Sequence, residues 1–341
     1  MHMNSFFKKV ILGQLTVLIV FLFCGCENNN EMHSQTRDNL LGTIITISAY
    51  ENISDSVFDE CFSAVYEIEK KMSVNIPESE ISSLNNFSEA VLSDDTYNLI
   101  QKGINYSELS NGAFDITIGA VMEKWKQGGA FIRLPEPKEI EDALPFVGYD
   151  RIRLSDNNKA EVEKGTKLDL GGIAKGYACD KTVELLKKHN IKAALLDFGG
   201  NIYAHGTKQD GSPWRVGLRN PILGEDGYVC ILEVSDKTVV TSGGYERYFE
   251  NEGKAYHHLL DPKTGYQAEN DLLSVTIVGD ISADADALST ACFVLGKEDG
   301  MRRLEDLPGF DGIFITNQNE IYITSNLKDK VTLKNTNFKI V

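Results

Sequence analysis

The chain has 341 residues, 42% hydrophobic and 25% charged, and its 34 basic and 50 acidic residues give a formal net charge of −16 at pH 7 with histidine neutral. That length fits one large domain or two fused halves, and the composition is that of a globular protein with a substantial core. So acidic a surface argues against nucleic acid and anionic lipid faces as partners, and any phosphate ligand must be held by backbone donors, a lysine or a metal.

The N-terminal segment reads as a targeting device. Lys8 and Lys9 form a basic n-region, Val10 to Phe23 an apolar h-region, and Gly25-Cys26 a small residue followed by cysteine. The apolar run is too short for a spanning helix. Phe23-Cys24-Gly25-Cys26 resembles a bacterial lipobox, with residues 1–25 removed as signal peptide and lipid placed on Cys26. Residues 26–39 then read as a polar tether and residues 40–341 as the folded domain. Cleavage would remove two lysines and no acids, leaving a net charge of about −18. The six cysteines show no zinc or redox spacing, and Cys61, Cys179 and Cys292 fall in apolar helical patterns that suit small buried thiols.

Leu40 to Tyr50 is β-branched and partly alternating, a strand signal. Val57, Phe58, Cys61, Phe62, Val65 and Ile68 recur at helical spacing, so a helix runs from Val57 to Met72 and leads into a polar loop, Met72 to Asn85. Thr96 to Leu109 forms another helix, closed by Ser110-Asn111-Gly112; Ile116 to Lys126 reads as a third, and Gln127 to Pro137 as an exposed loop. Arg151 to Glu163 has the look of a hairpin with its tip at Asp156-Asn157-Asn158.

Leu168-Asp169-Leu170-Gly171-Gly172-Ile173-Ala174-Lys175-Gly176 follows, reading as a short strand, a glycine turn and a helix from Ile173 to about His189. Glycines let a ligand touch backbone, a helix N-terminus offers free N–H groups to an anion, and Lys175 would add a full charge beside a phosphate. The same residues also fit a tight turn closed by a surface lysine. Beyond this helix the chain is strand-rich: Ala193 to Leu196, Asn201 to His205, Trp214 to Arg219, Val229 to Val234, Thr238 to Thr241, Ala255 to Leu260 and Leu273 to Val278. A helix over Ala283 to Leu295 and strands near Gly312 to Ile315 and Glu320 to Thr324 complete it. Helices gather in the first half and strands in the second without regular alternation or an internal repeat, which predicts an α+β fold.

In order, Leu168 to Asp180, Asn201-Ile202-Tyr203, Trp214 to Pro221, Thr241-Ser242-Gly243-Gly244-Tyr245-Glu246-Arg247-Tyr248-Phe249, His257-His258-Leu259-Leu260-Asp261-Pro262-Lys263-Thr264-Gly265 and Ala285 to Ala291 resemble the ApbE family of FAD:protein FMN transferases. The resemblance runs from about Gly42 to Gly296. It implies mixed β-sheets with flanking helices, a flavin site in a cleft between two lobes, and a magnesium-dependent enzyme of the bacterial envelope. Its partners would be FAD and a membrane-bound electron-transfer subunit bearing an acceptor threonine.

Cleaving a flavin pyrophosphate calls for a cation to neutralise and orient the phosphoryl oxygens. Asp286 and Thr290 are four apart in a helical pattern, so their oxygens share one face and suit Mg²⁺. The family pattern adds the main-chain carbonyl of Ala174 as a ligand; Asp284 is the second-choice carboxylate. Taken alone, Asp286 also fits a carboxylate at a helix start. The family's functional histidine maps to His258, which could take a proton from an incoming hydroxyl, while His257 would alternate to the other strand face. A histidine pair in a strand also fits a purely structural role.

Flavin contacts carry over by resemblance to Met72, Ser73, Asn75, Ala113, Phe114, Asp115, Lys175, Asp180, Ser242, Gly243, Tyr245, Arg247 and His258. Phe114 fits the core equally well, and Tyr245, Tyr248 and Phe249 fit strand packing. Two positions depart from the family pattern: Asn75, where an aromatic is usual, and Gly244, where Asp or Asn is usual. A lost aromatic wall would loosen FAD and admit water, which keeps a Mg²⁺-dependent FAD pyrophosphatase as a second reading and a flavin-storing lipoprotein as a third.

Overall fold

The β-branched run Thr43–Ala49 buries Ile45 and Ile47 and enters a nine-stranded sheet. The structure is a computed structural model that describes residues 32–50 and 53–341. Across the sheet the strands run His33–Leu40, Thr43–Ala49, Ala194–Phe198, Asn201–His205, Lys237–Gly243, Leu272–Gly279, Asp311–Thr316, Glu320–Ile323 and Lys339–Ile340. All neighbours are antiparallel except the last pair.

Alternation along these strands feeds two separate cores. Val239 and Val278 point to one face, where they join Trp214, Leu232 and Ile313 beneath a three-stranded sheet of Trp214–Arg219, Tyr228–Val234 and Val331–Leu333. Their neighbours Val240 and Ile277 point to the other face and meet Ala285, Leu288 and Cys292 of the helix Ser282–Leu295. On that helical side the helices Asp55–Met72 and Ala174–Lys188 pack beside it over Ile45, Ile47 and Leu196. The result is the α+β arrangement that the sequence predicts, with helices on one face of the large sheet and a smaller sheet on the other.

Several expectations change. Residues 33–40, expected to fall largely in a polar tether, form the edge strand His33–Leu40, whose Ser34 and Thr36 hydroxyls pair across it with Ser48 and Thr46 at 2.7 and 2.9 Å. Polar residues suit an edge strand with one wet side, so low hydrophobicity there did not mean loop. The expected signal peptide and the expected lipidation site Cys26 lie outside the described residues. The helix expected from Ile116 to Lys126 covers only Gly119–Trp125, and the following loop contains a small hairpin, Lys126–Gln127 with Ala130–Phe131. The strand expected at Ala255 to Leu260 ends at His257. The four described cysteines, Cys61, Cys179, Cys230 and Cys292, are buried free thiols. Among the described residues no helix is long and apolar enough to cross a membrane.

Candidate active site

Leu168-Asp169-Leu170 is not a strand. Its backbone bonds go elsewhere: Leu168 N and O both meet the Asn85 side chain, at 2.7 and 2.9 Å, and Asp169 N donates to Ile116 O. Ile173 N and Ala174 N then turn back onto Leu170 O. Asp169 braces the glycine turn, accepting from Gly171 N at 2.9 Å and from Lys126 Nζ at 3.1 Å. The segment is a fastened turn that delivers Ala174 and Lys175 to the start of the central helix.

That helix has no capping side chain of its own. A carboxylate from another helix serves instead: Asp286 Oδ2 accepts from Gly176 N at 2.9 Å, and Asp286 Oδ1 from Lys175 Nζ at 3.1 Å. The arrangement is reciprocal, because Asp180 accepts from Ser282 N at 2.7 Å and Ala283 N at 2.9 Å, capping the Ser282–Leu295 helix in return. The two helix starts touch so closely that a Cβ on Gly176 would lie 2.3 Å from Ser282 O, which only glycine permits.

This capping gives Asp180 a structural task beside the flavin contact expected of it. Burial pushes its carboxyl up to about 6 against the pull of the two N–H donors. The folded-state value then exceeds the unfolded 3.8, so this group's contribution to stability falls as pH rises from 3.8 through 6 and is level above. Asp180→Ala should lower unfolding free energy by about 1–2 kcal/mol, as lost N-caps do. Denaturant unfolding checks this, and an FAD titration of the same variant tests the flavin contact.

Asp115 is likewise engaged, accepting from Thr117 N at 2.8 Å, Thr117 Oγ1 at 2.6 Å and Tyr149 N at 3.0 Å. With three donors from its own surroundings it braces two loops. Asp284, the alternative ligand, is paired with Lys102 and the Tyr106 hydroxyl, on the far side of the helix start from Asp286. Met72 and Ala113 are buried, and Met72 lies in the core with Ile68 and Ile81. Ser73 caps the Asp55–Met72 helix and its Oγ accepts from Asn75 N. Phe114 belongs to the core and also reaches the site: a Cβ on Gly172 would lie 3.0 Å from its ring and 3.7 Å from Thr290 Oγ1.

The remaining site residues converge on Asp286. Ser242 Oγ lies 2.8 Å from Ser289 Oγ and 3.3 Å from Thr290 Oγ1, so the end of the Lys237–Gly243 strand is fastened to the same helix face. Gly243 lets the Tyr245 ring fold over it, since a Cβ there would sit 2.4 Å from Tyr245 Cε1. Arg219 stands over the other part of that ring, 5.7 Å from its centroid, and Arg247 Nη2 reaches Gly42 O at 3.4 Å.

Glu246 is the residue that sequence reasoning passed over, although it lies within the Thr241-to-Phe249 motif. It stands over the Gly199-Gly200 turn, with Oε1 3.8 Å from where a Gly200 Cβ would be. Its side chain is open to solvent yet surrounded by protein on the longer range that governs desolvation. That desolvation pushes its carboxyl up to about 7, opposed by Lys175, reinforced by Asp286, and opposed again by Arg247 and Arg219. It is thus an exposed carboxyl within the field of charges from several separate elements.

His258 closes the constellation. The hairpin Tyr248–Asn251 with Lys254–His257 pairs Tyr248 with His257, and His258 N continues the ladder to Arg247 O at 3.2 Å. His258 Nδ1 also lies 3.1 Å from Arg247 O, so Nδ1 carries the proton and Nε2 is the free acceptor. Burial, then the Arg247 cation, push its pKa down to about 3, leaving a neutral imidazole near pH 7. His257 faces the other way, edge-on to Phe293 at 5.5 Å, as strand alternation requires.

A magnesium ion fits this donor set. Among the described residues no three His, Cys, Asp or Glu side chains cluster as a metal cage. A single buried carboxylate beside a hydroxyl and a helix-start carbonyl matches a cation that takes hard oxygen ligands, keeps waters and shares the substrate's phosphates. Asp286, Thr290 and the Ala174 carbonyl would hold it, with the Lys175 ammonium yielding its place on Asp286.

A sequence model of the ApbE family matches residues 41–314, and the chain belongs to that family of enzymes. It is 32% identical to the FAD:protein FMN transferase of Treponema pallidum (strain Nichols), covering 94% of this chain and 96% of that protein. It is 31% identical to that of Klebsiella pneumoniae (strain 342), over 84% and 90% respectively. The crystal structure of the ApbE protein from Thermotoga maritima superposes with a TM-score of 0.82 at 32% identity, covering 88% of this chain and 99% of that one. The apo form of Pseudomonas stutzeri flavinyl transferase ApbE gives 0.78 at 27%, over 88% and 96%.

Proposed function

We propose that this enzyme transfers FMN from FAD to a threonine hydroxyl of an envelope electron-transfer protein, releasing AMP in a magnesium-dependent reaction. The observation that carries the reading is the Asp286 carboxylate bonded to Lys175 Nζ and Gly176 N at one helix start, with Thr290 one turn further along Asp286's own helix and the neutral His258 within the field of Lys175. A bound magnesium ion would neutralise the pyrophosphate oxygens there. Lys175, released from Asp286, would pair with phosphate, and Tyr245 and Arg247 would line its approach.

In the step itself the threonine oxygen attacks the phosphorus on the FMN side, forming a phosphoester, while the bond to the AMP phosphate breaks. The hydroxyl proton passes to His258 Nε2, and AMP leaves with the bonding electron pair. A pKa near 3 in the free protein would rise beside the diphosphate, since a nearby negative charge favours the protonated ring. Lipid attachment at Cys26 would hold the enzyme on the exported face of a bacterial membrane, where such acceptors lie.

Incubating the domain with FAD and Mg²⁺, with and without a threonine-bearing acceptor, tests the reading. AMP release that requires acceptor, with FMN covalently on the acceptor, supports it. Free FMN and AMP without acceptor would make the protein a pyrophosphatase, and intact FAD in both tubes a binding protein.

Asn75 favours some hydrolysis alongside transfer. It is exposed on the loop after the Asp55–Met72 helix, with Oδ1 3.6 Å from where a Cβ on Gly129 would lie, so a small polar side chain stands where two loops meet. Asn75→Tyr would place a ring there, worth about 1 kcal/mol of stacking on a bound nucleotide. The ratio of free FMN to retained FAD should fall several-fold by chromatography, and an unchanged ratio would sink the role of this loop.

A further inference from the structure

A cavity of about 480 Å³ lies beside the hairpin that carries His258, and nothing in the flavin chemistry above uses it. Its walls include Trp125, Tyr256 and Tyr266, with Lys254, Asp261 and Glu269 at the rim. The walls are preset. Trp125 Nε1 donates to Gly265 O at 2.9 Å, Tyr266 meets the indole edge-on at 6.0 Å, and Tyr256 stacks on Phe249 at 5.4 Å. The turn beneath is fastened by Asp261 N to Tyr266 O at 2.7 Å and Gly265 N to Asp261 O at 2.8 Å.

Hairpin register connects this cavity to His258. Phe249 pairs with Tyr256, and two residues further along each strand Arg247 lies opposite His258. His258 follows directly on the strand Lys254–His257, two residues from Tyr256, which puts the two within about 7 Å along the chain. Lys254, two residues the other way, continues that line to the rim.

Charge selects the occupant. Lys175, Arg219 and Arg247 gather around Glu246 at the His258 end and suit a diphosphate. At the cavity the two carboxylates Asp261 and Glu269 stand against the single ammonium of Lys254, which lies 3.6 Å from Glu269. An anionic nucleotide is disfavoured there, whereas a polypeptide can place apolar side chains on the rings and backbone N–H groups or a basic side chain on the carboxylates.

We infer that this cavity docks the acceptor polypeptide, whose chain lies along Lys254, Tyr256 and His258 so that its threonine hydroxyl reaches His258 Nε2. This rests on the transferase reading of the same site. Rigid aromatic anchors beside a catalytic group are how a protein substrate is positioned with little ordering cost.

Two variants test it. Tyr266→Ala removes one wall, and Thr264→Trp fills the cavity from an exposed turn position that lines it. The probe is the soluble domain of an envelope electron-transfer subunit that carries one target threonine. Both variants should raise the KM for this acceptor about 10-fold, the usual scale for an interface aromatic, while the KM for FAD stays within about 2-fold of wild type. An unchanged acceptor KM in both variants would overturn the docking site. A raised KM for FAD with acceptor KM unchanged would assign the cavity to the flavin instead. Failure of the wild type to flavinylate any threonine acceptor would overturn the transferase reading, and the occupant proposed here with it.

Discussion

Asp286→Asn is expected to lower magnesium-dependent turnover of FAD by at least about 100-fold while the fold survives, because the substitution separates the two tasks of this carboxylate. One task is structural: Oδ2 accepts from Gly176 N in a place with almost no solvent, the residue being 2% exposed. An asparagine oxygen can keep that bond. The other task is electrostatic, and an amide cannot supply it. Asparagine would neither balance Lys175 nor serve as the one buried charged ligand beside Thr290. Asp286→Ala loses both, and the orphaned Gly176 N–H should cost a further 1–3 kcal/mol, roughly, of stability. The pair is measured together: AMP release by chromatography, Mg²⁺ affinity by calorimetry, and the unfolding midpoint. Wild-type turnover by Asp286→Asn would remove the metal assignment, whereas a collapse of stability in that variant would show that charge, rather than an oxygen acceptor, holds the helix starts together.

The sequence carries the fold well where a segment's fate depends on its own pattern. Val57 to Met72 repeats apolar residues at helical spacing and forms the helix Asp55–Met72; Asn201 to His205 and Trp214 to Arg219 are strands at those bounds. Failures fall where a distant partner decides. Leu168-Asp169-Leu170 looks like a strand, but Asn85, far away in sequence, takes both backbone bonds of Leu168. His33–Leu40 looks like a tether, but its hydroxyls find a neighbouring strand. The same division runs through the site. Asp286 and Thr290 are on one helix, so spacing alone aligns them, and the alternation of His257 and His258 is local. The capping role of Asp180 is not legible in its own motif, because the N–H groups it accepts from arrive only when the Ser282–Leu295 helix is packed against it. Glu246 was missed for the complementary reason: nothing local marks a glutamate as lying near Lys175, Arg219 and Arg247 from separate elements.

His258→Ala should slow transfer to the acceptor by about 100- to 10,000-fold while FAD affinity changes little, since general-base catalysis acts on the proton and not on the flavin. The geometry makes the prediction specific to one nitrogen. Nδ1 donates to Arg247 O at 3.1 Å, so only Nε2 can receive a proton, and the Arg247 carbonyl, being main chain, holds the ring whatever residue stands at 247. The pH dependence follows from the depressed pKa. In the free protein the imidazole protonates near 3 rather than 6.5, because burial and Arg247 disfavour its cation, so the base stays competent on the acid side of neutrality. The FAD diphosphate would raise this value in the complex, so it is the acid limb of kcat/KM for FAD, which reports the free protein, that should fall below pH 6.5, with activity lost as pH drops toward 3. In His258→Ala this limb should vanish from a low, flat profile. An acid limb that persists unchanged in the alanine variant would assign the base elsewhere. Glu246, whose carboxyl titrates near 7, would then be the residue to test, and Glu246→Gln would separate the two.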